Sequence, residues 1–230
     1  MKKFMMIAAM VVATMSANAQ SRFEPGTLTV QPRLGGTGAM FTNAPDIDMY
    51  GIAEFDATAT GGAFIGADME YQLTNRFSVA AGVNWAQAGS GWKDKDISYE
   101  GKVLEISDFK VETSYVRVPL TVNFYLLKGF AIKSGVQFGF LTSAKLKATE
   151  EQDISGGGKK KTEYDKDCKD SFKKFDLSIP VGLSYEFKVP IVIDLRYNIG
   201  LTKVNKESNH NLKDSRNLVC DLTVGYKFKL

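Results

Sequence analysis

The feature that most constrains this chain is a two-residue alternation of apolar and polar side chains, which recurs in eight segments after residue 20. Side chains of an extended strand point to opposite faces in turn, so strict alternation marks a strand with one apolar and one polar face. At the C-terminus Leu218, Cys220, Leu222, Val224, Tyr226, Phe228 and Leu230 fall on one face, with Asp221, Thr223, Gly225, Lys227 and Lys229 on the other. The same pattern runs through Val189–Leu201, Phe175–Phe187, Phe130–Phe140, Val116–Leu126, Phe77–Trp85 and Ile65–Leu73. It is weakest in the first segment, Leu28–Thr37. No stretch after residue 20 carries the 3.6-residue apolar period of an amphipathic helix.

Most segments run ~10–14 residues, longer than the ~5–6 usual for globular strands. A tilted strand needs ~9–11 residues to cross a bilayer. The connections alternate in length. Short ones fall near Thr74-Asn75-Arg76, Leu127-Lys128-Gly129 and Lys188; long polar ones cover roughly Phe41–Thr60, Ala88–Lys110, Lys147–Phe172 and Lys203–Ser215. Alternation alone also fits a soluble sandwich, but a sandwich has no reason to sort its loops by end. Membrane barrels do sort them, with short periplasmic turns and longer extracellular loops. Hydrocarbon offers no partner to backbone N–H and C=O groups, so a sheet can cross only if its edges meet. The expected fold is therefore all-β: an eight-stranded antiparallel up-and-down transmembrane barrel, with both termini on the periplasmic side.

Residues 1–19 are set apart from that pattern. Lys2 and Lys3 precede a nearly unbroken apolar run, Phe4–Met15, and Ala17-Asn18-Ala19 supplies the small residues of a cleavage site. The run is shorter than the ~20 residues of a spanning helix, so residues 1–19 read as a secretory signal peptide and 20–230 as the barrel domain. Composition excludes several classes. A net charge of +3, with no basic run interleaved with aromatics, argues against nucleic acid. One His and two Cys are too few for a zinc site or a disulfide scaffold, and no cofactor or metal is expected. A mean hydropathy of −0.15 looks soluble only because it averages two opposite faces.

The chain resembles the Bacteroidetes-type outer-membrane β-barrel domain family (porin-like or PorT-like). The resemblance covers essentially the whole chain after the signal peptide. It rests on the Ser-Ala-Asn-Ala-Gln processing region, the strand Tyr115-Val-Arg-Val-Pro-Leu-Thr-Val-Asn-Phe-Tyr125 and the Gly- and aromatic-rich Gly129–Phe140. It rests also on Leu195-Arg-Tyr-Asn-Ile-Gly-Leu-Thr202 and the terminal Val224-Gly-Tyr-Lys-Phe-Lys-Leu230. It implies a barrel in the outer membrane of a Gram-negative bacterium, in contact with outer-membrane lipids, lipopolysaccharide and the barrel insertion machinery. It does not specify an activity.

Eight strands enclose an interior that side chains just fill. Parity directs Arg33, Arg117, Lys133, Arg196 and Lys227 inward with Asp68, Glu70, Asp176, Glu186, Asp194 and Asp221. Near balance of sign points to a paired internal network, since unpaired buried charge is costly. Inward glycines, Gly66, Gly82, Gly139, Gly182 and Gly225 among them, leave room for these side chains. Pro32, Pro119 and Pro180 interrupt strands and are read as bulges or kinks. Trp85 and Trp92 are read as interfacial girdle residues or loop anchors.

Catalysis would need a triad of His210 with Ser208 or Ser215 and Asp214, and no nucleophile-elbow sequence accompanies it. The expected function is non-enzymatic: surface interaction or envelope integrity through the loops. The alternatives are a narrow channel for small or hydrophobic molecules and a secretion-system accessory. Lys159, Lys160 and Lys161 could contact anionic lipopolysaccharide, although Glu163, Asp165, Asp167 and Asp170 offset their charge. Cys168 and Cys220 are expected to stay free thiols.

Overall fold

The computed structural model describes residues 23–42, 47–49, 53–55, 57–99, 102–154, 158–206 and 215–230. Eight long strands carry the fold: β1 (Leu28–Thr42), β2 (Thr60–Gln72), β3 (Phe77–Trp92), β4 (Lys102–Leu127), β5 (Phe130–Ile154), β6 (Phe175–Glu186), β7 (Ile191–Gly200) and β8 (Arg216–Tyr226). Each pairs antiparallel with the next in sequence. β8 returns to β1 with Arg33 opposite Gly225 and Thr42 opposite Arg216, which closes the ring.

Burial follows parity, inverted relative to a soluble protein. On β7 the outward Ile191, Ile193, Leu195, Tyr197 and Ile199 are exposed, whereas Val192, Asp194, Arg196 and Asn198 are buried. From Leu218 to Phe228 the outward residues of the last strand rise ~33 Å along the chain, or ~25 Å at a tilt of ~40°, the height of an outer-membrane apolar band. Aromatic pairs mark its lower rim, beside the termini: Phe77–Phe124 at 4.8 Å, Tyr185–Phe187 at 4.9 Å and Tyr226–Phe228 at 4.6 Å. Phe140 and Phe175, at 5.8 Å, stand higher on the wall. The turns at the terminal end are short; Gly129, at φ +83°, makes the tightest of them, between β4 and β5.

Three features depart from the sequence reading. Of the bulge and kink readings of the prolines, the register excludes the bulge. Pro32 lies at a gap in the β1 ladder with the C-terminal strand, Pro119 at a gap between β3 and β4, and Pro180 at a gap between β5 and β6. Register is unchanged across each gap, and each proline stays in register with the strand on its other side, opposite Ala67, Gln137 and Asn198. One missing donor therefore costs one stretch of ladder on one side. The bulges lie instead along β4–β5, at Ser107/Lys110, Ser114/Tyr115 and Tyr125/Leu127. The first contains Asp108 at φ +53°, its N–H donating to Asp94 Oδ1 at 2.9 Å.

Two of the expected long loops are largely strand. β4 and β5 run 26 and 25 residues, far past the apolar band. Lys95–Tyr99 pairs with the upper part of β4, and Gly158–Asp167 with the upper part of β5. The four form an antiparallel sheet extending the barrel wall. It carried no alternation signal because Lys, Glu, Asp and Thr are common on both of its faces. Opposite charges across strands supply the pairing preference instead: Lys145 faces Glu112 on one side and Asp167 on the other, and Asp165 faces Lys147.

Candidate functional site: the barrel interior

All eleven charged residues with inward parity are buried at 9% exposure or less, and the structure arranges them in tiers. Their space comes from glycine. Arg33 has Gly66 and Gly225 as its cross-strand neighbours, Asp68 has Gly82, Arg117 and Asp176 share Gly139, and Lys133 and Arg196 share Gly182. A Cβ on Gly82 would stand 2.1 Å from Asp68 Oδ1, and one on Gly225 would stand 2.9 Å from Arg33 Cγ. Each long side chain thus crosses the lumen over a place where the wall has no side chain.

The tier nearest the termini joins Glu70, Glu186, Lys227 and Tyr125. Lys227 Nζ donates to Glu70 Oε2 at 2.9 Å and also to Glu186. Tyr125 Oη lies 2.7 Å from Oε1 of both glutamates and holds one proton, so it donates to one of them at a time. Ser78 donates to Glu70 and accepts from Asn123 Nδ2 at 3.0 Å. The Phe23 ring stands over Lys227, 5.2 Å from its Nζ.

The middle tier holds three cations and two carboxylates. Asp194 faces Lys133 at 2.8 Å, Arg196 at 3.3 Å and Arg33 at 3.4 Å; Asp68 faces Arg33 at 3.1 Å and Arg196 at 3.3 Å. Next, Arg117 Nη2 lies 3.0 and 3.1 Å from the two oxygens of Asp221, while its Nε donates to Asn84 Oδ1 at 2.8 Å. The Phe64 ring packs beneath both guanidiniums, 4.9 Å from Arg33 and 5.6 Å from Arg117. Asp176 stands apart from the ion pairs and accepts from Thr202 Oγ1 at 2.7 Å.

The tiers cross the lumen, and below them a cavity of about 320 Å³ opens at the terminal end between Phe23, Glu186, Val192 and Lys227. Between Arg117, Asp176 and Tyr115 lies a void of about 10 Å³, room for about one water, lined by the partnerless acceptors Gln137 Oε1, Asn198 Oδ1 and Asn217 Oδ1. Above it the character changes. Phe41, Trp92, Val111 and Val204 form one buried apolar cluster, and Ala39, Ala88, Tyr115, Leu141, Ala144 and Val219 another. Cys168 and Phe172, flanking the short 3-10 turn Lys169–Ser171, pack against both. The chain thus descends from the extension and stops the mouth with an apolar plug. Trp92 belongs to this plug rather than to a girdle, with its ring 5.0 Å from Phe109. Aromatics close to a loop read the same way by composition whether they face lipid or lumen, so parity past residue 88 was the usable signal.

The remaining candidates are dispersed. Ser208, His210 and Asp214 lie outside the described residues; Ser215 is buried, its carbonyl accepting from Val204 N–H at 2.9 Å. Lys159, Lys160 and Lys161 occupy strand Gly158–Asp167. The side chains of Lys159 and Lys160 lie outside the described residues, and Lys161 is exposed, 3.9 Å from Glu163. Cys168 and Cys220 are free thiols. No group of metal-binding side chains occurs among the described residues. On the extension, burial pushes the Glu112 carboxyl up, but hydrogen bonds from Lys147 (2.6 Å) and Lys110 (3.1 Å) outweigh it and hold its pKa below the ordinary value. Lys147 is raised in turn, chiefly by its hydrogen bond to Glu112.

Comparison with known proteins bears on this architecture. A family model described as outer membrane protein beta-barrel domain matches residues 18–206. No curated protein matches the chain. Among solved structures, Ail of Yersinia pestis in complex with the heparin analogue sucrose octasulfate is similar at 14% identity and a TM-score of 0.44, covering 90% of this chain and 100% of that one. OprG of Pseudomonas aeruginosa is similar at 13% identity and 0.42, covering 90% and 98%. Neisserial surface protein A is similar at 16% identity and 0.38, covering 87% and 97%.

Proposed function

The chain belongs to the outer membrane protein beta-barrel domain family, a Gram-negative outer-membrane location included, and from that premise we propose a closed, non-enzymatic barrel that holds a polar sheet at the cell surface. The observation that carries this reading is the crossed lumen: three successive tiers of buried ion pairs, a void of only about 10 Å³ beside the uppermost and an apolar plug at the mouth. A conduit needs a continuous wet path, and among the described residues salt-bridged tiers under an apolar plug stand across it. His210, the one histidine of the sequence, lies outside the described residues, and among the described residues no histidine-based triad is assembled. What the barrel offers is its extension, charged on both faces, and in this reading the end with short turns and both termini faces the periplasm. The motifs around Tyr115–Tyr125 and Leu195–Thr202 support a place near the PorT-like members.

Surface labelling tests it. With Cys168 and Cys220 replaced by serine, Lys166→Cys on the exposed outer strand is expected to react with a membrane-impermeant maleimide on intact cells. Asn75→Cys, in a terminal-end turn, is expected to react only after lysis. The reverse pattern would refute the orientation. A narrow channel is the second reading, favoured by the polar lining alone.

A further inference from the structure

Strand Gly158–Asp167 is the last in its sheet: among the described residues its ladder is with β5, and the strand order stops at it. Such an edge presents backbone N–H and C=O groups to any extended chain that can lie beside it. Lys161, Glu163 and Asp165 share one face of the strand, and their side chains are 54%, 76% and 49% exposed. Their order matters more than their number. Basic residues lead (Lys159-Lys160-Lys161) and acidic ones follow at every second position (Glu163, Asp165, Asp167).

Charge order selects what can occupy the edge. An in-register parallel copy would set every charge against its own kind. An antiparallel copy centred on Thr162 sets Lys161 opposite Glu163 of the second copy, and Glu163 opposite Lys161 of the second copy. Next along the strand, the register places position 159 opposite 165. The inner edge already pairs by this rule, with Lys161 opposite Glu151, Asp165 opposite Lys147 and Asp167 opposite Lys145. One of these diagonals closes as an ion pair, Lys145 Nζ to Asp165 Oδ2 at 3.0 Å.

The geometry points to a second copy of this chain as the occupant, and to a copy seated in a facing membrane. Antiparallel strands joined edge to edge are related by a two-fold axis perpendicular to their sheet, an isologous contact that closes at two copies. This sheet continues the barrel wall, so the axis is perpendicular to the barrel axis and the rotation reverses it. The second barrel then stands at the opposite end of the joined sheet. The extension reaches ~12 residues past the apolar band, which at ~3.3 Å per residue and ~40° tilt raises its tip by about 30 Å. Two such extensions meet across the gap between apposed cells. Lysine and glutamate on the edge discourage apolar strands, so the contact is selective as well as weak.

This inference rests on the proposed surface location, and its test is separable from that one. Two populations of phosphatidylcholine vesicles carrying the refolded protein, one with donor and one with acceptor dye, are mixed and their clustering followed by energy transfer. Outward-facing copies are counted by protease cleavage, and folding is checked by heat-modifiable gel mobility. Wild-type vesicles are expected to cluster. Lys161→Glu and Glu163→Lys, which each turn two attractive pairs into repulsive ones, are expected to weaken clustering about tenfold. Mixing K161E vesicles with E163K vesicles restores it, because each reversed charge then faces its complement, and the double variant K161E/E163K again clusters with itself. Absent wild-type clustering, single variants equal to wild type, or no restoration on mixing would overturn the proposal. Labelling of Lys166→Cys on intact cells reports the surface location whichever way the clustering falls.

Discussion

Replacing Asp194 by alanine isolates what the internal network contributes. The carboxylate is 1% exposed and faces three cations: Lys133 at 2.8 Å, Arg196 at 3.3 Å and Arg33 at 3.4 Å. Its removal leaves Arg33 and Arg196 with Asp68, at 3.1 and 3.3 Å, and takes from Lys133 the one carboxylate within salt-bridge distance of it among the described residues. Truncating one partner of a buried pair costs about 3–5 kcal/mol, because the other charge stays buried and unpaired. With three cations sharing the lost partner, Asp194→Ala belongs at the upper end, about 4–5 kcal/mol. Asp194→Asn keeps shape and one acceptor but turns the other oxygen into a donor facing donors, since Arg33 meets Oδ1 and Lys133 and Arg196 meet Oδ2, so it too falls at about 3–5 kcal/mol. Glu112→Ala, which breaks a pair whose side chains are 23% and 36% exposed, falls within about 1 kcal/mol. The assay is urea unfolding in lipid vesicles, read as the loss of fast gel mobility in unheated samples. An Asp194→Ala variant within about 1 kcal/mol of wild type, or level with Glu112→Ala, would refute the view that paired charge holds the lumen.

Other parts of the structure give further expectations. Gly82→Val places a side chain where Asp68 Oδ1 stands 2.1 Å away, with Ala67 O at 2.9 Å; overpacking of about 1–3 kcal/mol in the same unfolding assay is expected, and an unchanged midpoint would contradict it. Val83→Arg puts a charge on the outward face at a residue 57% exposed to the lipid side, costing about 2–4 kcal/mol near the midplane, and no loss in vesicles would contradict the assigned face. Phe172→Ala loosens the plug against which Cys168 packs, so maleimide labelling of Cys168 should speed up while Cys220 is unaffected. Glu112 has a folded pKa below its unfolded 4.5. Its contribution is therefore present above that value and lost as pH falls through the folded pKa. The midpoint difference between wild type and Glu112→Gln should hold near neutrality and shrink on acidification below pH ~4.5; a difference that grew in acid would contradict the assigned pair.

Parity made the barrel legible before any coordinates. Alternation along Val189–Leu201 sets the side of Asp194 and Arg196 because a strand has only two sides. Which charges meet is another matter. Arg117 and Asp221 are 104 positions apart, and their contact depends on register around the whole ring, which no local pattern encodes. Tyr125 had inward parity but drew no notice, since a lone tyrosine gives no sign that it will bridge Glu70 and Glu186. The sheet extension was hidden for the opposite reason. Lys, Glu, Asp and Thr occupy both parities of Lys145–Asp167, so the period disappears, leaving cross-strand charge order as the remaining trace. Phe172 and Trp92 show a third limit: whether an aromatic near a loop faces lipid or lumen depends on where the chain turns back.

The central claim is that a transmembrane barrel of eight strands is sealed by its own side chains, and single-channel recording in planar bilayers addresses it directly. Protein refolded to the heat-modifiable form is expected to insert without stepwise conductance, before and after Phe172→Ala removes part of the plug, because the ion-paired tiers lie beneath it. Reproducible conductance steps from the wild-type protein would contradict the sealed lumen and favour the channel reading.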